Sequence, residues 1–240
     1  MYLISFLISF SITLTTVPLI KKYFQNSGIF DNPDNRSQHS KPIVRVGGIS
    51  IFASFIITFI INIWIGNFNL FSSSQVNIYY SILIISSFFF LIGLTDDLVD
   101  LSPFLRLGFQ FFSASIIWFM NLRIDFIDFL WIQNIELPLF ISFLITIFWI
   151  VAITNAINWL DGLDGLSAGI IFIYVIFLGQ QSINYGQNSI GLLSFIVAGS
   201  CLAFLKYNYY PAKIIMGDGG SNFLGFIFSV LVIYSFKNID

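Results

Sequence analysis

Three short polar stretches interrupt an otherwise apolar chain, and their residue types suit the chemistry of phosphates and divalent cations. The first is Asp96-Asp97-Leu98-Val99-Asp100. If helical, it sets Asp96 and Asp100 four apart and Asp97 and Asp100 three apart, so two or three carboxylates share a face. Like charges this close repel and raise a carboxylate pKa unless a cation joins them. Mg²⁺ is the natural partner, because it takes oxygen ligands and bridges one or two carboxylates to a substrate phosphate. The plain alternative is a solvated acidic helix end.

The second stretch runs Asn155-Ala156-Ile157-Asn158-Trp159-Leu160-Asp161-Gly162-Leu163-Asp164-Gly165-Leu166. Two Asn and two Asp are spaced by threes, and a Gly follows each Asp. Steps of three turn ~300° each, so Asn155 and Asp164 would point oppositely on one helix. Gly162 and Gly165 weaken a helix further. The pattern predicts a helix end that breaks into a glycine-bearing loop, with carboxylates at the membrane edge. Polar groups at membrane depth are costly and mark a functional site by default. The third stretch is Met216-Gly217-Asp218-Gly219-Gly220-Ser221-Asn222. Its glycines permit close backbone approach. Ser221 is placed to cap a following helix whose N-terminus favours an anion such as phosphate, and Asp218 could complete a metal site. An ordinary turn with a capping Ser is the alternative there.

The elements that position these stretches follow from composition. Of 240 residues, 57% are hydrophobic and 9% charged, with thirty Phe; a soluble domain carries ~25% charged residues. The chain is therefore expected to be an all-α, polytopic membrane protein. Its net charge of −2 gives no support to nucleic-acid binding. The single cysteine, Cys201, excludes an intrachain disulfide and a cysteine-based zinc site, and reads as a small packing residue.

Apolar runs able to span a bilayer need ~17–25 residues. Eight candidates occur: Tyr2–Ile20, Gly47–Ile65, Ile78–Leu94, Leu105–Leu122, Leu137–Ile153, Leu166–Leu178, Ile190–Leu205 and Asn222–Phe236. No basic residue precedes the first run, and Lys21-Lys22 follow it, which favours a retained first helix over a signal peptide. With the N-terminus outside, the first, third, fifth and seventh connections hold Lys21, Lys22, Arg36, Lys41, Arg45, Arg106, Lys206 and Lys213. The outer side holds only Arg123 and Lys237, so the basic connections should be cytoplasmic. All three polar stretches then fall on that same face, although they took no part in the count. The outer connections, with Asp125, Asp128 and Glu136, read as short solvated loops.

The first connection, Asp31 to Gly48, is basic, rich in Pro and Gly, and expected to be irregular. Arg36, Lys41 and Arg45 could hold phosphate oxygens or simply fix topology. His39 is the only histidine, and an ordinary loop side chain is its plain alternative.

Together these motifs resemble the polyprenyl-phosphate N-acetylhexosamine-1-phosphate transferases of glycosyltransferase family 4. Asp96 to Asp100 is similar to that family's aspartate-rich motif, which alone also occurs in other prenyl-diphosphate enzymes. Asn155 to Leu166 resembles its central Asn–Asp–Gly motif, the most specific of the set. Met216 to Ser221 resembles its Gly–Asp–x–Gly–Ser motif. Arg36, His39, Pro42, Arg45, Gly47 and Gly48 are similar to its first cytoplasmic loop, in the branch using UDP-N-acetylglucosamine or related sugars. The motifs occur in family order.

The resemblance implies transfer of a sugar-1-phosphate from a UDP-N-acetylhexosamine to undecaprenyl phosphate at the cytoplasmic face of the bacterial plasma membrane. The expected product route is a cell-envelope glycan such as O-antigen or teichoic acid, and a homodimer is one assembly it allows. It implies that Asp218 and Asp97 hold Mg²⁺ and that Asp96, Asp97, Asn158 and Asp161 are catalytic, with Asp96 the base. It implies substrate contacts for Asp164, Asn155, Asp100, Arg36, His39, Lys41 and Arg45. Ile215 stands where some relatives carry an aromatic that stacks on the base. Family members continue past the point where this sequence stops, with more helices and a histidine-bearing loop. The chain is therefore also compatible with a truncated, non-catalytic relative that binds lipid phosphate or a partner chain. An intramembrane prenyltransferase would leave the Asn155 to Leu166 stretch without a role.

Overall fold

The structure, a computed structural model, describes residues 1–27, 42–65, 73–129 and 132–237. Eight helices occur among them: α1 (Tyr2–Ser27), α2 (Gly48–Trp64), α3 (Ser73–Val99), α4 (Pro103–Phe119), α5 (Leu139–Leu160), α6 (Leu166–Asn184), α7 (Asn188–Asn208) and α8 (Gly217–Lys237). Each expected apolar run forms a helix, so the all-α membrane architecture stands. Six helices are long and apolar enough to cross a bilayer. The 17-residue α2 is shorter than that set, about 26 Å at 1.5 Å per residue against a ~30 Å hydrocarbon core.

The outer connection between α4 and α5, expected as a loop, instead contains an antiparallel hairpin of β1 (Phe126–Phe129) and β2 (Ile132–Glu136). Phe126 and Ile127 of β1 are half-buried, which suits a pleated surface better than a solvated loop.

Helices α7 and α8 form the interior. Of their apolar windows 78% and 83% are buried, against 22–39% for the other four long helices, whose outer faces are left for lipid. Helix α8 packs chiefly on α3 and α5 and also touches α2, α6 and α7, while α7 is held between α1 and α6. Phe52 stacks on Phe90 at 4.0 Å and Phe89 on Phe226 at 4.3 Å, which ties α2, α3 and α8 together. Glycines let the backbones approach at the crossings. A Cβ at Gly225 of α8 would lie 2.6 Å from Thr154 Cα of α5. One at Gly93 of α3 would collide with the Asp218 carbonyl, and one at Gly48 of α2 with Gly220. Lipid provides little hydrophobic drive between helices, so small residues at contacts are the expected means of tight packing.

Helices α1, α3, α5, α6, α7 and α8 run past their expected ends, and the extensions of α3 and α8 bring the carboxylates of the site together. Helix α3 continues from Leu94 to Val99 and so carries Asp96 and Asp97. Helix α8 starts at Gly217 rather than Asn222, so Ser221 lies inside it and is not its cap. The first amide groups of α8 are satisfied by carboxylates from other helices, which lets it begin earlier than any local cap would.

Candidate active site

The α5–α6 connection forms as the glycine spacing predicts. Helix α5 ends at Leu160, Asp161 follows as its C-cap, and Gly165 enters α6 at φ 72°. That left-handed angle is strained for any side chain but glycine's. Asn155 and Asn158 stay on α5, while Asp161 and Asp164 leave it.

Asp161 and Asp97 converge on the start of α8. Asp161 Oδ2 accepts the Gly217 N–H at 2.8 Å. Asp97 accepts from Asp218 N–H at 2.8 Å and Gly219 N–H at 2.9 Å, one amide on each oxygen. The helix N-terminus, expected to attract a phosphate, thus already holds two carboxylates from α3 and the α5 end. This is an N-cap supplied by tertiary structure, and the positive end of the helix dipole favours it. Gly217 sits at φ 80°, with Arg45 O and the Asp97 carboxylate where a Cβ would go, so only glycine fits.

Asp218, one residue on, is the hub. Its Oδ1 accepts from Arg45 Nη2 at 2.9 Å and Asn158 Nδ2 at 2.8 Å, and its Oδ2 from Arg106 Nη1 at 3.1 Å. Arg106 Nη1 also pairs with Asp96 Oδ2. The other Asp96 oxygen accepts the Leu101 N–H at 2.8 Å. Asn158 Nδ2 reaches Ser221 Oγ at 2.9 Å. Arg45 is delivered by backbone pairing. Ile215 N–H donates to Val44 O at 2.9 Å, Gly47 N–H to Ile215 O at 2.9 Å, and Gly48 N–H to Met216 O at 2.7 Å. This strap fixes the entry to α2 beside the entry to α8.

The three polar stretches therefore meet at one end of the bundle, as their common face predicted. Not every residue joins them. Asp100 lies beyond α3 with φ 51°, exposed, so it does not share a helical face with Asp96 and Asp97. The helix stops because Asp96 turns its carboxylate onto Leu101 N–H. Asp164 Oδ2 accepts the Ala212 N–H at 2.9 Å, and Asn208 Oδ1 accepts the Gly165 N–H at 3.1 Å, so both bind the α5–α6 loop to the α7–α8 loop. Asn155 Nδ2 donates to Gln110 Oε1 at 2.7 Å, deeper in the bundle. Arg36, His39 and Lys41 lie outside the described residues.

Arg106 is the residue the sequence undervalued. It counted there only towards topology, yet it joins Asp96 to Asp218. The available signal was a lone arginine in an otherwise apolar helix, four residues before a buried glutamine. Asn208 offered no comparable signal.

Among the described residues, four buried or largely buried carboxylates face two guanidinium groups, Arg45 and Arg106. With all four ionised, as around a bound cation, the positive charge falls short by two, the charge of one divalent cation; a protonated Asp161 reduces that shortfall to one. Asp161 Oδ1 is buried and has no hydrogen-bond partner among the described residues. Burial pushes that carboxyl well above the usual range, although its bond from Gly217 N–H opposes the shift. Oxygen donors in this number suit a hard cation. They are not gathered as a finished cage: no three acidic or histidine side chains surround a common point among the described residues. The guanidinium groups now neutralise Asp218 from both sides.

An apolar groove of about 500 Å³ runs between α3 and α4, lined by Ile84, Phe88, Ile92, Phe109, Phe112 and neighbouring side chains. Ile92 lies one turn from Asp96, and Phe109 one turn from Arg106.

Fold and site together define a polytopic membrane protein with a carboxylate–arginine cluster at one end of its helix bundle. Comparison with known proteins agrees. The family model described as glycosyl transferase family 4 matches residues 79–236. The chain belongs to that family. It is 34% identical over 229 residues to a probable undecaprenyl-phosphate N-acetylglucosaminyl 1-phosphate transferase of Bacillus subtilis, covering 95% of this chain and 61% of that protein. It is 30% identical over 245 residues to a phospho-N-acetylmuramoyl-pentapeptide-transferase of Staphylococcus carnosus, covering 96% and 74%. A protein of the latter name from Prochlorococcus marinus is 32% identical over 252 residues, with 97% and 66% covered. The chain thus spans about three fifths to three quarters of the length of these relatives.

Proposed function

We propose that this chain transfers N-acetylhexosamine-1-phosphate, GlcNAc-1-phosphate in the first instance, from a UDP-sugar to undecaprenyl phosphate. UMP leaves, and the product enters cell-envelope glycan synthesis. The observation that carries this reading is the convergence of Asp96, Asp97, Asn158, Asp161 and Asp218 with Arg45 and Arg106 beside an apolar groove. The relatives' names supply the substrate class. The working surface would be the cytoplasmic face of a bacterial plasma membrane.

In this reaction an oxygen of the lipid phosphate attacks the β-phosphorus of the UDP-sugar, and the bond to the α-phosphate oxygen breaks with its electron pair leaving on UMP. Little covalent chemistry is asked of the protein; positioning and charge neutralisation dominate. Arg45 and Arg106 are the cations placed to face phosphate oxygens, and Asn158 holds the Asp218 carboxylate in one orientation. Asp218, with Asp97 and the unpartnered oxygen of Asp161 at hand, would hold Mg²⁺, which when bound stabilises charge on the leaving phosphate. Asp96 would be the group that accepts a proton, once one of its bonds to Arg106 or Leu101 N–H is released. A phosphate monoester is already mostly dianionic at neutral pH, with its second pKa ~6, so placement outweighs base catalysis. The apolar groove between α3 and α4 suits a lipid tail whose phosphate reaches Arg106.

The test is UMP release from UDP-GlcNAc by membranes carrying this chain, with undecaprenyl phosphate and Mg²⁺, beside Asp218→Asn. Mg²⁺-dependent release that vanishes in the variant is expected. An equally active variant would remove Asp218 from the site. No release from a folded, inserted chain with any UDP-N-acetylhexosamine would favour the non-catalytic relative.

A further inference from the structure

Beneath the charged cluster lies a second polar layer. Asn155, Gln110 and Asn222 sit on α5, α4 and α8 respectively. Each lies one helical turn from a member of the site on its own helix. Gln110 is four residues beyond Arg106, Asn222 four beyond Asp218, and Asn155 three before Asn158. Gln110 joins the other two. Its Oε1 accepts from Asn155 Nδ2 at 2.7 Å, and its Nε2 reaches Asn222 Oδ1 at 3.4 Å. Gln110 and Asn222 are each 1% exposed, and Asn155 Nδ2 also donates to Val151 O at 2.8 Å.

Polar side chains buried among membrane helices act as links between them, because the alternative is an unsatisfied group in hydrocarbon. Helix α4 particularly needs such a link. In this structure it packs mainly on α3 and α5, and its wide outer face carries exposed Phe104, Phe111 and Phe112. At its far end Trp118 Nε1 donates to Ser142 Oγ of α5 at 3.1 Å, but near the site apolar packing alone sets no strict rotation for it. A carboxamide with two directional partners does.

We propose that Gln110 is a positioning residue for the reaction proposed above: it fixes the register of α4 against α5 and α8, and so sets Arg106 against Asp96 and Asp218. Gln110 touches neither substrate nor metal, and it acts through Arg106. Asn155, assigned to substrate from the motif, belongs to the same layer. Asn222 Nδ2 is buried and has no hydrogen-bond partner among the described residues.

Gln110→Leu removes both bonds at nearly constant volume. Leucine leaves Asn155 Nδ2 and Asn222 Oδ1 each one partner short, which lowers stability, while a displacement of about 1 Å at a reacting centre costs ~100-fold in rate. The expected result is a fall in kcat of about 10- to 100-fold, a KM for the UDP-sugar within about twofold of the parent, and a somewhat lower melting temperature with the chain still folded under the assay conditions. Gln110→Glu keeps the acceptor for Asn155 and should recover part of kcat. Unchanged kcat in Gln110→Leu would overturn the proposal. So would a loss of kcat that only tracks a loss of melting temperature equally in Leu and Glu variants. A second readout needs no turnover: hydrogen exchange of the Asn155 side-chain amide by NMR in nanodiscs. Exchange should be slow in the parent and faster in Gln110→Leu. Unaltered exchange would overturn the layer itself, and a parent that releases no UMP while showing the exchange change would refute the transferase reading alone.

Discussion

Asp97 separates two roles that the sequence merges. The motif makes it a catalytic or metal-binding carboxylate, whereas the structure also makes it the cap of α8. Its side chain is 1% exposed, and its two oxygens accept the Asp218 and Asp-adjacent Gly219 amides at 2.8 and 2.9 Å. Asp97→Ala strands both donors at a buried helix terminus. Losing a helix N-cap costs about 0.5–2 kcal/mol, and each buried donor left unsatisfied costs about 1–3 kcal/mol. The two figures overlap, so a net loss of about 2–4 kcal/mol is expected. At ~2–4 °C per kcal/mol for a chain of this size, the melting temperature should fall by about 5–15 °C. Asp97→Asn keeps one acceptor oxygen and should lose less than half as much. Both variants should lose UMP release. The measurement is thermal unfolding in detergent with EDTA present, which removes metal binding from the comparison. Asp97→Ala melting with the parent would refute the capping argument and leave Asp97 a purely chemical residue.

Gly217→Ala places a Cβ at φ 80° against Arg45 O and the Asp97 carboxylate; a loss of at least ~2 kcal/mol, read as a lower melting temperature, is expected, and a neutral result would show the α8 entry to be adjustable. Arg106→Ala leaves Asp96 and one side of Asp218 without a counter-charge and should lower kcat about 100-fold or more, with Arg106→Lys intermediate because lysine keeps the charge but is too short to bring its nitrogen to where Nη1 contacts both carboxylates. Asp161 has its folded-state pKa raised by burial, so the stability linked to its protonation is complete below the unfolded value, ~3.9, and is lost as pH rises through the folded value. The melting temperature of the parent in EDTA should therefore decline from about pH 4 upward relative to Asp161→Asn, and parallel curves for the two would refute the burial argument.

Much of the architecture was legible because hydrophobicity in a membrane protein is a local property. Eight apolar runs gave eight helices, and the charge asymmetry between connections put the polar stretches at one end, where Asp96, Asp97, Asp161 and Asp218 meet. The glycine-broken end of α5 was legible for the same reason: Gly165 needs its own backbone angle whatever surrounds it. Element ends were less so. Helices α3 and α8 overran their expected limits because each completes the other, with Asp97 capping amides that no nearby residue could satisfy. The hairpin of β1 and β2 is not legible in the sequence, since a short outer connection carries too few residues for periodicity to speak.

A membrane-spanning, predominantly helical chain with its carboxylate motifs on one face follows from local sequence, because segment hydropathy and glycine geometry need no distant partner. Only the tertiary structure decided which groups pair. Arg106 became the bridge between Asp96 and Asp218, Asn208 and Asp164 became loop anchors, and Gln110 became the link beneath the site. Such pairings depend on the rotation and depth of one helix against another, which are set by close glycine crossings and buried hydrogen bonds between residues far apart in the chain.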